Sequence, residues 1–313
     1  MDLLEITQRL REVINEISKI YVGKKDLVKL AVATLFSGGH LLIEGYPGTG
    51  KTLLAKALAK VIGGEYRRVQ GHPDILPSDI LGFHIYRVGG ERIFVKGPVF
   101  TNILLFDEIN RVSSRAQSAL LEAMQEYQVT IDGVTYPLQK PFLVIATQVS
   151  QRRAPETLRV IETLMDRFSV SLESFYNPPE EEIEILEKHD SIATLPVSQI
   201  LAPKDVLLIT ENISKQVYVD RSVAEYIVRL VNYIRRHSAV EYGPSHRAAV
   251  DIMRLSRVLA ALDNRDYVIP DDVKSIFVQA TRHRFKIRDE YELEGVSPES
   301  ISEEALKNVS VPK

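Results

Sequence analysis

Apolar residues recur at the start of the chain at Leu3, Leu4, Ile6, Leu10, Val13, Ile14, Ile17 and Ile20, which is helical spacing. Tyr21-Val22-Gly23-Lys24-Lys25 breaks that helix, and residues 28–36 predict a second, stopped by Gly38-Gly39. Beyond this point short apolar runs alternate with helical stretches. Residues 41–43, 103–106 and 142–146 are unbroken apolar runs, as in strands buried on both faces of a parallel sheet. Residues 66–70 and 170–172 predict two more strands. Residues 53–62 predict a helix stopped by Gly63-Gly64. Ser114-x-x-Gln117 predicts a capping box for a helix over 116–126, and residues 156–164 predict another helix. Two hairpins interrupt the alternation. One folds back over residues 83–95 around Gly89-Gly90, and the other has the two-residue turn Asp132-Gly133 between residues 128–131 and 134–136.

After Pro178-Pro179 the strands stop. Residues 180–188, 204–215, 222–236, 243–262 and 270–284 all predict helices. Past Arg288 the chain is acidic with little periodicity, and reads as a tail that is partly disordered or docked on a partner. The expected fold is therefore α/β: a parallel-sheet domain with its N-terminal helix over residues 1–176, an all-helical domain over 177–288, and a tail over 289–313.

One loop in this frame carries chemistry. Gly45-Tyr46-Pro47-Gly48-Thr49-Gly50-Lys51-Thr52 fits the phosphate-binding P-loop, and it lies between a predicted strand and a predicted helix, as that motif requires. Its glycines let backbone N–H groups turn toward phosphate oxygens, and the helix N-terminus adds partial positive charge. This loop, with Leu53 at its helical end, is expected to hold ATP. Lys51 would reach the β- and γ-phosphates, and Thr52 would ligate Mg²⁺. The second landmark is the run of residues 103–106 ending in Asp107-Glu108, an acid pair at the C-terminal end of a buried strand, where ligands bind in open α/β sheets. Asp107 would hold the Mg²⁺ shell, and Glu108 would orient and deprotonate the attacking water. Thr147-Gln148, ending the third apolar run, would lie beside the γ-phosphate, with Thr147 in contact with the nucleotide.

Composition narrows the picture by exclusion. The chain has 313 residues, 45% hydrophobic and 26% charged, as in ordinary globular proteins of about two domains. A formal charge of −3 gives no global field toward nucleic acid or anionic lipid. There is no cysteine, which removes disulfides, thiolate metal sites and a cysteine nucleophile and suits a reducing compartment. No apolar run approaches the ~20 residues of a membrane span, and Met1-Asp2-Leu3-Leu4-Glu5 does not begin a secretory signal, so a cytoplasmic location is expected. The seven histidines form no metal-ligand cluster in sequence.

P-loop, acid pair, polar residue after a third strand and then a helical domain is the order of AAA+ ATPases. Several stretches closely resemble the MoxR family within the helix-2-insert group. They are Gln70-x-x-Pro73-Asp74-x-Leu76-Pro77-Ser78-Asp79, Gly97-Pro98-x-Phe100, Asp107-Glu108-Ile109-Asn110-Arg111, the segment from Gln117 to Glu126, Ala146-Thr147-Gln148 and Asp166-Arg167-Phe168. The resemblance covers about residues 15 to 285. It implies an AAA+ nucleotide-binding domain followed by a helical lid, assembled as a homo-oligomeric ring that is usually a hexamer. It also implies chaperone-like action on a protein client, often a von Willebrand factor A domain protein. By family pattern Arg167 resembles the arginine finger that reaches a neighbour's γ-phosphate, and Arg247, in Gly243-x-Ser245-x-Arg247, resembles the lid's sensor arginine. The insert would lie within residues 70–95, and the Asp132-Gly133 hairpin would precede the sensor.

One departure bears on rate. Where the family has a sensor asparagine after Ala-Thr-Gln, this chain has Val149, followed by Ser150 and Gln151-Arg152-Arg153. Valine donates no hydrogen bond, so either Thr147 or Gln148 substitutes, or hydrolysis is slow. A slow nucleotide switch therefore stands beside the remodelling motor. A nucleic-acid motor is the weakest alternative, because the basic pairs Arg67-Arg68, Arg152-Arg153 and Arg235-Arg236 are scattered and read as solvated faces.

Overall fold

The computed structural model describes residues 1–149, 157–194 and 196–312. In chain order the elements are α1 (Leu3–Ser18), α2 (Lys25–Phe36), β1 (Leu41–Gly45), α3 (Lys51–Val61), β2 (Tyr66–Gln70), α4 (Pro77–Leu81), β3 (Gly82–Tyr86), β4 (Arg92–Lys96) and β5 (Ile103–Asp107). A 3₁₀ turn at Ile109–Arg111 leads to α5 (Ser114–Ser118), α6 (Leu120–Glu126), β6 (Gln128–Ile131), β7 (Val134–Pro137), β8 (Leu143–Gln148), α7 (Glu162–Met165) and β9 (Val170–Ser174). The second half holds α8 (Pro179–Glu187), α9 (His189–Ala193), α10 (Pro203–Gln216), α11 (Arg221–Arg236), β10 (Val240–Tyr242), α12 (His246–Leu262), α13 (Pro270–Thr281), β11 (Lys286–Ile287), α14 (Asp289–Leu293) and α15 (Pro298–Asn308).

Five strands form one sheet in the order β2-β5-β8-β1-β9, and every pairing is parallel. Alternation along the strands divides the core in two. Leu41, Ile43, Leu105, Ile145 and Leu172 point to the face covered by α1–α3 and the lid helices. Leu42, Leu104, Phe106, Val144 and Ala146 point to the face covered by α5, α6 and the hairpins. The central strands bury both faces and so read as unbroken apolar runs, whereas edge strand β2 carries Arg67 and Arg68.

Both predicted hairpins are present. Asp132 (φ 48°) and Gly133 (φ 78°) both take the left-handed conformation that the tight turn needs. The hairpins also pack on each other. His84, almost wholly buried, lies between Asp132 Oδ2 and the Tyr136 hydroxyl at 2.9 Å each, and the Phe94 ring stacks on Tyr136 at 4.1 Å.

Several expectations need correction. The cap before α5 is Ser113, which accepts from the Ala116 N–H; Gln117 is wholly buried, donates to Val112 O and accepts from the Ile161 N–H. Two consecutive serines made the cap ambiguous by one position. The helix predicted over 156–164 is confined to Glu162–Met165, with residues 157–161 non-helical and Glu156 outside the described residues. Among the described residues the regular structure of the second half is helical apart from the antiparallel ribbon β10–β11 and an isolated bridge between Tyr218 and Tyr267. The acidic tail is ordered: α15 buries Ile301 and Ala305 in the same core as α11 and α13. Helix α1 bridges the halves, with Thr7 donating to Ala261 O (2.6 Å) and Arg11 to Leu262 O (2.8 and 3.0 Å).

Candidate functional site

The P-loop leaves the C-terminal end of β1, between β8 and β9. Two glycines have clear physical reasons. A Cβ on Gly45 would lie 2.1 Å from Ser174 O, and Gly50 (φ 86°) sits against the Tyr21 ring. Gly48 (φ 78°) has open space where a Cβ would be, and Pro47 and Gly48 are exposed, so the loop crest faces outward. Lys51 and Thr52 open α3. The Lys51 ammonium folds over its own loop, donating to Gly45 O and Thr49 Oγ1 (3.3 Å each) and to Tyr46 O. Burial lowers its pKa, and Asp107 and Glu108 oppose that shift.

Three residues not singled out in the sequence brace this loop. Tyr21 donates to Thr49 O (3.2 Å), Ser174 donates to Thr49 Oγ1 (3.0 Å), and Lys24 reaches Ser174 Oγ (3.3 Å). Burial, and then the Lys51 charge, lowers the Lys24 pKa. Tyr46 stacks on Tyr176 with centroids 4.7 Å apart. Beside Gly48–Gly50 a cavity of about 490 Å³ opens between Tyr21, Leu53, Tyr176, Ile185 and Leu186, mainly apolar but with Lys24, Asn177 and Glu182 also on its wall.

The acid pair stands at the C-terminal end of β5. Asp107 accepts from Thr147 Oγ1 (2.6 Å) on one oxygen and from Arg68 (2.6 Å) on the other. Glu108 is left-handed (φ 58°, ψ 51°), pairs with Arg111 at 2.9 Å and accepts from Gln70 Nε2 at 3.2 Å. Arg68 is exposed, as expected of a solvated face, but it also meets Asp107. Register explains the difference: Gln70 pairs with Asp107 across β2 and β5, and Arg68, two residues before it, shares its face, while Arg67 points away. Gly71 completes the junction, since a Cβ there would lie 2.2 Å from Glu108 O.

Thr147 is 1% exposed, and its hydroxyl is spent on Asp107 and on the Glu108 N–H (2.8 Å). Gln148 is half-buried and donates to Glu44 (3.0 Å). The Val149 side chain has no polar group, and its carbonyl accepts from Asn110 Nδ2 at 2.8 Å. Ser150 and Gln151-Arg152-Arg153 lie outside the described residues.

Arg167 and Arg247 lie near each other, away from the P-loop. They line one groove with Gly38, Gly39 and His40, which precede β1, whereas the P-loop follows it. The length of a five-residue strand, roughly 16 Å, separates the two ends. Arg167 donates to Gln125 (2.7 Å) and to Thr163 O, and Arg247 pairs with Asp166. Burial lowers the Arg167 pKa, helped by the Arg247 charge and opposed by Asp166.

Comparison with known proteins decides what this arrangement belongs to. The profile of the ATPase family associated with various cellular activities matches residues 40–170, and that of the AAA lid domain matches 232–305. Chaperone MoxR1 of Mycobacterium tuberculosis is 38% identical over 97% of this chain and 82% of its own length. The chain belongs to the MoxR family of AAA+ ATPases. A further relative, the uncharacterised YeaC of Bacillus subtilis, is 39% identical over 97% of this chain and 95% of its own. A crystal structure of a Cytophaga hutchinsonii protein superposes with a TM-score of 0.90 at 38% identity, covering 99% of this chain and 97% of that one. MoxR membership carries with it an ATPase with a P-loop α/β domain and a helical lid. Among the described residues no helix is long and apolar enough to cross a membrane.

Proposed function

We propose that this chain is one subunit of a homo-oligomeric ring, hexameric by family pattern, that hydrolyses ATP to remodel or activate a protein client. The observation that carries this reading is the separation of Lys51, Asp107 and Glu108 from Arg167 and Arg247 by the length of β1. A site with both sets of groups needs two protomers. ATP is the substrate. Its phosphates lie along the loop from Gly45 to Thr52 and its base in the apolar cavity lined by Tyr21 and Leu53. The donor set fits Mg²⁺: a threonine hydroxyl opening α3, and the Asp107 carboxylate, which already faces a cation in Arg68. Thr52 and Asp107 would hold the ion, which neutralises phosphate charge when bound. Lys51 leaves its loop carbonyls for the phosphates, Glu108 takes a proton from the attacking water, and Arg167, with Arg247, neutralises charge on the phosphate held by the adjacent subunit.

Glu108→Gln removes the base and keeps the loop, so multiple-turnover ATPase is expected to fall about 10²–10⁴-fold with ATP affinity kept. Parent-rate hydrolysis by this variant would remove Glu108 from the role. The same variant in ATP, used as bait, should retain its client. A von Willebrand factor A domain protein is the class that the family resemblance points to.

Val149 supports a second reading, a slow switch: its side chain has no donor where the family has asparagine, and the Thr147 hydroxyl beside it is engaged. Multiple turnover at about 1 per second or faster, unchanged in Val149→Asn, would rule this out. A rate rising in Val149→Asn would support it.

A further inference from the structure

The segment Asp166-Arg167-Phe168 belongs to the sheet domain by sequence, yet the lid grips it on both sides of the arginine. On one side, Ser245 donates to Asp166 Oδ1 at 2.6 Å and Arg247 donates to Oδ2; both stand where α12 begins. On the other, the Phe168 carbonyl accepts from His283 Nε2 (2.6 Å), Arg284 Nε (3.2 Å) and Arg284 Nη2 (2.8 Å), just past α13. Arg284 is wholly buried and pairs with Asp251 of α12, so both grips belong to one packed body. The Phe168 ring is fully buried in the sheet core, which makes this residue a pin between the halves. Among the described residues the Arg167 guanidinium itself donates within the sheet domain, to Gln125 and to Thr163 O.

We propose that Asp166, Ser245, His283 and Arg284 are positioning residues through which the lid of a protomer sets where that protomer presents Arg167. A lid displacement that breaks either grip releases one flank of the arginine, and the site that senses this lies on the adjacent subunit. The inference rests on Arg167 acting in trans.

Subunit mixing tests it. Asp166→Asn keeps an acceptor for Ser245 and removes the charge that holds Arg247. Alone, it should lower kcat about 10²-fold, the usual effect of misplacing a catalytic group by ~1 Å, with unchanged KM for ATP and a melting temperature near the parent's. Mixed with Glu108→Gln subunits, which are inactive but present an intact arginine, Asp166→Asn subunits should regain hydrolysis. Ser245→Ala, which leaves the Asp166–Arg247 pair, should show a smaller fall and the same rescue, and serves if Asp166→Asn proves unstable. Parent-level kcat in both variants overturns the proposal. So does failure of rescue when Arg167→Ala mixed with Glu108→Gln is rescued, because Asp166 would then act in its own site. If Arg167→Ala is not rescued either, the trans reading of the arginine falls, and this inference with it.

Discussion

Thr147 Oγ1 lies 2.6 Å from Asp107 Oδ1 and 2.8 Å from the backbone nitrogen of Glu108, so one buried hydroxyl fixes both acids of the candidate site. It donates to the first and accepts from the second. The β5–β8 register makes this possible by pairing Phe106 with Ala146, so the residues that follow each stand side by side.

Thr147→Val keeps the shape and removes the hydroxyl. Asp107 loses the donor that orients it, and the Glu108 N–H is left unsatisfied. ATPase activity is expected to fall about 10–100-fold, the usual effect of losing a group that orients a metal ligand, while nucleotide affinity falls less. Thr147→Ser should restore most of the rate. Steady-state kinetics beside calorimetric titration of ADP would separate the two effects. An equal loss in both would mean that Thr147 touches the nucleotide directly.

His40 ties β1 to its surroundings as a neutral ring. Its Nδ1 accepts from the Val144 N–H at 3.1 Å, so its Nε2–H donates to Met124 O at 3.0 Å. Full burial pushes its pKa down from 6.5 to about 4. The unfolded chain therefore binds the proton first as pH falls, and this contribution is complete above pH 6.5 and is lost toward pH 4. Between pH 7.5 and 5 this one group should remove about 2 kcal/mol of stability. His283, half-buried and held well below its ordinary value by desolvation and then by the Arg284 charge, adds a slope of the same sign. Urea unfolding across that range should show the loss, and His40→Asn, less stable at neutral pH, should show a shallower slope. Equal slopes would assign the acid sensitivity elsewhere.

Ile301 is 1% exposed on α15, packed in the core shared with Phe277 of α13. Ile301→Ala should lower unfolding free energy by about 2–5 kcal/mol. A free tail would give no change. Chemical denaturation distinguishes the two outcomes.

The candidate site was legible where its parts are contiguous. Gly45 to Thr52 and Asp107-Glu108 each carry their chemistry in one short stretch after an apolar run, and the structure places both at the same sheet end. What the sequence hid depends on register between distant strands. Arg67 and Arg68 are neighbours in the chain but lie on opposite faces of β2, and only Arg68 meets Asp107. Thr147 looks like a phosphate contact until β8 is laid beside β5, when its hydroxyl proves to be engaged. The ribbon of Val240–Tyr242 and Lys286–Ile287 is too short for alternation to show, and the order of α15 comes from what it packs against rather than from its own weak pattern. Arg247 resembles the lid's sensor arginine in sequence, and only the fold shows that it lines the groove at the end of β1 next to residues 38–40, the end opposite the loop of residues 45–52.

The positive φ of Glu108 has an evolutionary consequence. Glycine would occupy that backbone position with less strain than glutamate does. A laboratory search for thermostable descendants that never asks them to turn over ATP should drift toward glycine there, gaining robustness while silencing the chemistry. A hardened, idle population of this kind would show that folding and work make opposite demands at one Cα.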